Sequence, residues 1–173
     1  MKNENEAYEA MLCSHLEGMV YRLRQMTPEQ FDYTFAPPAP SPRTLAIHAW
    51  QWLVCDRNHI AEPDASKHPR VPDPPADQKA LCDALAEETE NWRHLIRSLT
   101  PEKMLEERRQ FNQEYDRPLN IRWFIFHMIQ NAVYKHGQMS TTYFALGLDG
   151  TEPYTAPFPN PIYEELFGPR PVA

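Results

Sequence analysis

The residues best equipped for chemistry lie in one short stretch, HMIQNAVYKHGQ, from His127 to Gln138, where two histidines bracket an asparagine, a tyrosine and a lysine. Paired imidazoles on one helix face would offer a metal two ligands. A helix advances about 100° per residue, so a nine-residue separation leaves His127 and His136 pointing in opposite directions. They cannot share an ion. The residues on the side of His127 are Asn131, Tyr134, Lys135 and Gln138, and this polar strip borders an apolar stripe, which implies a pocket or a buried hydrogen-bonded network.

A second reactive row occurs in LAIHAWQWLVCDRNHI, where His48, Trp52, Cys55 and His59 fall on one side of a helix. At about 1.5 Å per residue His48 and His59 stand about 16 Å apart along the axis, so only one can enter a given site. His48, with Leu45, Trp52 and Leu53 around it, is expected to face inward; for a lone inward histidine a hydrogen-bonded core imidazole is the ordinary role and a ligand the rarer one. Cys13, Cys55 and Cys82 are odd in number, far apart and without a C-x-x-C pair, which indicates buried reduced thiols.

The elements that position these residues are delimited by proline. Of the 18 prolines, clusters occupy residues 37–42, 63–75 and 153–171, and the segments between carry helical periodicity. Helix 1 is expected from residue 4 to 26, with Tyr8, Leu12, Leu16, Met19, Leu23 and Met26 on one stripe. Thr27-Pro28-Glu29-Gln30 reads as an N-cap, a proline at N1 and a capping-box glutamine, and Ser41-Pro42-Arg43-Thr44 opens a helix to about Glu62. Helix 3 is placed from Asp77 to Leu99, with Glu88 on its apolar stripe and expected to be partly buried. Thr100-Pro101-Glu102-Lys103 nearly repeats the first capped turn, and helix 4 runs from about Leu119 to Leu146 along Ile121, Ile125, Met128, Ala132, Met139 and Tyr143. The segment EERRQFNQEYDR before it is a candidate extended piece. Gly137, unfavourable inside a helix, suggests close approach of another helix or a ligand.

Four such helices with these connections predict an all-α four-helix bundle over residues 1–148. Residues 149–173 form a proline-rich C-terminal extension whose aromatic residues suit packing on the bundle or on a partner subunit. A net charge of −7 without a Lys/Arg block argues against nucleic-acid and anionic-membrane partners. No segment has the apolar length of a signal peptide core or a membrane span, so a cytoplasmic protein is expected.

The order helix, TPE turn, proline-rich loop, Ser-Pro-Arg-Thr-Leu-Ala-Ile-His48, then a last helix with a histidine-rich run ending in Gly137-Gln138 and continuing to Leu146-Gly147 resembles the DinB and YfiT-like superfamily. The resemblance covers residues 5 to 148. It implies a four-helix bundle, often a homodimer, commonly with a divalent metal on three histidines and, in some members, hydrolase, maleylpyruvate isomerase or thiol S-transferase activity. One ligand would come from His48. The other two would come from histidines four residues apart on helix 4, where this chain has Asn131 and Lys135.

Asparagine is a poor ligand for zinc or nickel, and a protonated lysine has no lone pair to give. The resemblance therefore implies an altered site in which Lys135 occupies the place of the cation, with Glu88 as a carboxylate partner. Three functions remain open. The first is a small-molecule-binding pocket, with or without catalysis, drawn from His48, Trp52, Glu88, His127, Asn131, Tyr134 and Lys135 and needing no cofactor. The second is a metal-dependent hydrolase or thiol transferase with zinc or nickel on a shifted site of His48, His127 and a carboxylate such as Asp56 or Glu88. The third is a non-enzymatic homodimeric interaction protein.

Overall fold

In a computed structural model, which describes residues 4–108 and 119–148, the chain forms six α-helices and one short antiparallel ladder. The long helices are α1 (Glu4–Gln25), α3 (Pro42–Ala61), α4 (Gln78–Ser98) and α6 (Ile121–Ala145), each within two residues of its expected bounds. Two four-residue helices, α2 (Pro28–Phe31) and α5 (Pro101–Met104), are the two TPE turns. Thr27 makes the full capping box with Gln30, whereas Thr100 caps α5 with its hydroxyl alone, Lys103 having no oxygen with which to answer. Ser41, Asp77 and Asn120 cap α3, α4 and α6 in the same way.

Around the bundle the order is α1, α4, α3, α6, because α1 packs on α4 and α6 and α3 packs on the same two. The connections α1–α3 and α4–α6 therefore cross the bundle diagonally, and each begins with a TPE turn. That explains the repeated motif: it turns the chain sharply at a helix end before the crossing. Side-chain amides tie the corners. Asn5 donates to the carbonyls of Ile96 and Leu99 at the end of α4, both at 2.7 Å, and Gln78 donates to those of Leu23 and Met26 at the end of α1, both at 2.9 Å. Each satisfies carbonyls that a helix terminus leaves without an internal partner.

The core is the four expected stripes brought together, with Leu12, Leu16, Met19, Leu53, Leu85, Trp92, Phe124 and Ile125 fully buried. Of the candidate extended piece, Glu107–Arg108 forms strand β1 and pairs with β2, Leu119–Asn120; residues 109–118 lie outside the described residues. So does the proposed packing of the C-terminal extension over 149–173. Arg108, buried, donates from Nε to the Ile60 carbonyl and so caps the end of α3. Gly147, with φ 69°, ends α6 in the left-handed conformation that favours glycine. Among the described residues no helix is long and apolar enough to cross a membrane.

Gly137 departs from expectation. It is exposed, and a Cβ placed on it would meet nothing within 4 Å, so among the described residues no neighbour requires a glycine there.

Candidate functional site

The antiparallel packing of α3 on α6 sets the reactive rows of both helices against each other. On α6 the expected polar strip divides in two. His127, Asn131 and Lys135, at four-residue steps, turn progressively inward until Lys135 is only 3 % exposed, while Tyr134 and Gln138 bond to each other on the outer side. Tyr134 is thus an exposed side chain and not a pocket wall.

At the end of the seam formed by the last turns of α3 and the first turns of α6, Asp56 is fully buried and both its oxygens are engaged. Oδ2 lies 2.6 Å from His127 Nδ1, and Oδ1 lies 3.2 Å from His59 Nδ1. Since a carboxylate only accepts, both imidazoles carry a proton on Nδ1. Cys55 Sγ lies 3.8 Å from His59 Nε2. Desolvation works against the charged form of His59, but the hydrogen bonds to Asp56 and Cys55 outweigh it and raise its pKa to about 9. His59 packs on Phe124 and His68, and His127 stacks on Trp123 while the edge of Trp52 meets it at 5.2 Å. A charged pair is thereby walled by aromatic surface.

Trp52 links this group to the other end of the seam, donating from Nε1 to His48 Nε2 at 2.6 Å. His48 was expected to face inward; it is exposed. The buried stripe at the start of α3 is Leu45, Ala46, Ala49 and Trp50, which lies around the helix from His48; His59, on the same side as His48, is covered by Phe124 and by His68 of the following loop. Desolvation, and then the charge of Lys135, hold His48 below the usual imidazole range, so the ammonium lies within electrostatic reach of it. Lys135 donates to the amide oxygen of Asn131 one turn back. Among the described residues no carboxylate pairs with it, and burial lowers its pKa to about 8.

Glu88, the expected partner of Lys135, is elsewhere. It is buried in the α3–α4 seam, where Arg57 binds both its oxygens at 2.5 and 3.1 Å and Asn91 adds a third hydrogen bond. A bidentate guanidinium competes better for a carboxylate than an ammonium. The expected shifted site is split as well: His127 meets Asp56 directly, whereas His48 reaches them only through Trp52.

His136 was expected beside helix 1 or at the surface. It lies against α1, its Nδ1 2.9 Å from that of His15, so one ring donates and the other accepts. Burial first, then the charge of Arg22, lowers its pKa to about 3, and burial lowers that of His15 too. Both are neutral at pH 7 and form a structural bond between helices. No periodicity marks His15 as such a partner, because its own helix shows only a half-buried polar residue. His68, in the proline-rich loop, was equally silent. The cluster of Cys55, Asp56 and His59 did have a signal, the spacing i, i+1, i+4 on one helix.

These positions do not fit the three-ligand metal site that the sequence resemblance implies. Lys135 presents an ammonium bonded to Asn131, and the Nε2 lone pair of His48 is taken by Trp52.

Comparison with known proteins agrees with the fold. The family described as the DinB superfamily matches residues 14–139. A conserved protein from Enterococcus faecalis, known from its crystal structure, is similar in fold with a TM-score of 0.65 and 20 % sequence identity, over 85 % of this chain and 99 % of that one. No curated protein matches the chain with significance.

Proposed function

This chain belongs to the DinB superfamily, and we propose that it is a metal-free variant at the three-histidine position, binding a small anionic molecule where its relatives would place an ion. The observation that carries this reading is Lys135. It is 3 % exposed, its hydrogen bond goes to a neutral amide, and no carboxylate among the described residues pairs with it. A buried cation is costly unless its charge is met, and a ligand carboxylate or thiolate would meet it. Asn131 and His48 supply further polar groups, and the Trp52 ring an apolar wall beside them.

The test is a thermal-shift series with small carboxylates and thiols on the full chain. A ligand at 100 times its dissociation constant stabilises by about 2.7 kcal/mol, so a clear rise in melting temperature is expected for at least one anion. It should fade above pH 8, where Lys135 loses its proton, and vanish in Lys135→Met. A series without effect, or one that Lys135→Met leaves intact, overturns the proposal.

One observation favours a homodimer as well. Phe126, Val133, Tyr134 and Phe144 are exposed apolar residues along the outer face of α6, from 43 % to 64 % accessible. A row of this kind suits the face of a second copy.

A further inference from the structure

We infer that Cys55, Asp56 and His59 form a binding site for a soft divalent ion of the zinc class, separate from the altered position at Lys135. The inference is independent of the anion-binding proposal, since none of its residues belongs to that group.

Cys55, Asp56 and His59 each bring one donor atom, and the three lie within 4.8 Å of one another. Zinc takes thiolate sulfur at about 2.3 Å and imidazole nitrogen or carboxylate oxygen at about 2.0–2.2 Å, so tetrahedral neighbours stand about 3.3 Å apart for N and O and about 3.5 Å for S and N. Here Asp56 Oδ1 and His59 Nδ1 are 3.2 Å apart, and Cys55 Sγ and His59 Nδ1 are 4.0 Å apart. The nitrogen–oxygen edge already has its final length, the sulfur–nitrogen edge exceeds its final length by only about half an ångström, and the sulfur–oxygen edge is within 4.8 Å.

The charges also balance. A thiolate and a carboxylate neutralise a dication, and binding releases the Cys55 thiol proton together with the proton that His59 holds on Nδ1. The other oxygen of Asp56 stays on His127 Nδ1 at 2.6 Å, the orienting hydrogen bond that ligating carboxylates characteristically have.

A second observation points to a ligand. His68 Nε2 lies 2.7 Å from the Glu62 carbonyl, which fixes the proton on Nε2 and leaves a lone pair on Nδ1. That Nδ1 is buried with no hydrogen-bond partner among the described residues, on a ring whose centroid is 4.6 Å from that of His59. A buried acceptor without a donor is uncommon. Beside three metal-ligating side chains, it is the candidate fourth donor.

Cobalt(II) titration of the full-length protein tests the site, read by thiolate-to-cobalt absorption in the near ultraviolet and by alkylation of Cys55, the half-buried thiol beside two buried ones. Stoichiometric binding is expected, with the charge-transfer band present and Cys55 protected from iodoacetamide. Cys55→Ser, a small change at a half-buried position, should remove the band, and His127→Ala should weaken binding about 10- to 100-fold. His48→Ala and Lys135→Met should leave both signals unchanged. Absence of stoichiometric cobalt, or a Cys55 alkylated equally fast with and without it, overturns the inference. Binding that depends on His48 instead of Cys55 overturns it too.

Discussion

The two ends of the α3–α6 seam bury opposite charges and satisfy them to different degrees. Asp56 has a histidine on each oxygen, one from its own helix at i+3 and one from the facing helix. Lys135 bonds to Asn131, a neutral residue one turn back on its own helix. The carboxylate is paired within the protein, and the ammonium carries a charge that no carboxylate among the described residues balances. The difference teaches that equal burial does not mean equal pairing: one end meets its charge with the protein's own imidazoles, and the other meets it only with a neutral amide.

The largest effect is expected from breaking the closed end. Asp56→Ala leaves two imidazoles without their acceptor and should cost about 3–5 kcal/mol in urea unfolding at pH 7; a loss under about 1 kcal/mol would show that the network contributes little. The variant should also lose part of a pH dependence. His59 has a folded pKa of about 9 against an ordinary value of 6.5. A raised pKa on a base contributes stability that is complete below pH 6.5 and lost as the pH climbs to 9. That decline should shrink in Asp56→Ala, since Asp56 is one of the two groups, with Cys55, that raise the His59 pKa.

The open end predicts the opposite sign. Lys135→Met fills the same space without a charge, and should stabilise the free protein by up to about 3 kcal/mol at pH 7, since one pKa unit is worth about 1.4 kcal/mol and the shift runs from 10.5 to about 8. Here the unfolded chain binds more protons between pH 8 and 10.5, so the wild type gains stability as the pH rises through that window. The Met variant should not. Unfolding curves at pH 6, 8 and 10 therefore separate the two ends, and a Lys135→Met variant less stable than the wild type at pH 7 would mean that the ammonium is already paired.

Most of the fold was legible in the sequence because it rests on short-range signals: Thr27, Ser41 and Thr100 before prolines start helices, and the stripes of α1, α4 and α6 match the buried residues. The site was legible only in part. The spacing of Asn131 and Lys135 put them on one side of the last helix, and the structure supplies the bond between them. What could not be read was which buried charge meets which. Glu88 went to Arg57 because α3 lies beside α4, a neighbour relation that depends on the diagonal crossings and not on any local pattern. His48 turned outward because it lies off the buried stripe of Leu45, Ala46 and Ala49, whereas His59, on the same side of α3, is covered by Phe124 and His68. His68 lies in a loop where periodicity has nothing to say.

The smallest expected effect comes from the outer face of α6, behind the seam. Gly137 is exposed and a Cβ there meets no atom within 4 Å, so Gly137→Ala should gain helix propensity, up to about 1 kcal/mol, without disturbing Lys135 two residues away on the inner face. For a domain of this size that corresponds to a rise of about 2–4 °C in melting temperature. The same glycine lies among Phe126, Val133, Tyr134 and Phe144, on the face proposed for a second copy. If two copies pack there closely enough to need a glycine, Ala should instead lower the melting temperature in a concentration-dependent way and shift the mass seen by light scattering toward the monomer. A rise independent of concentration would place the dimer contact, if there is one, away from Gly137. Either result leaves the buried charges of the seam as they are, because the added methyl points outward.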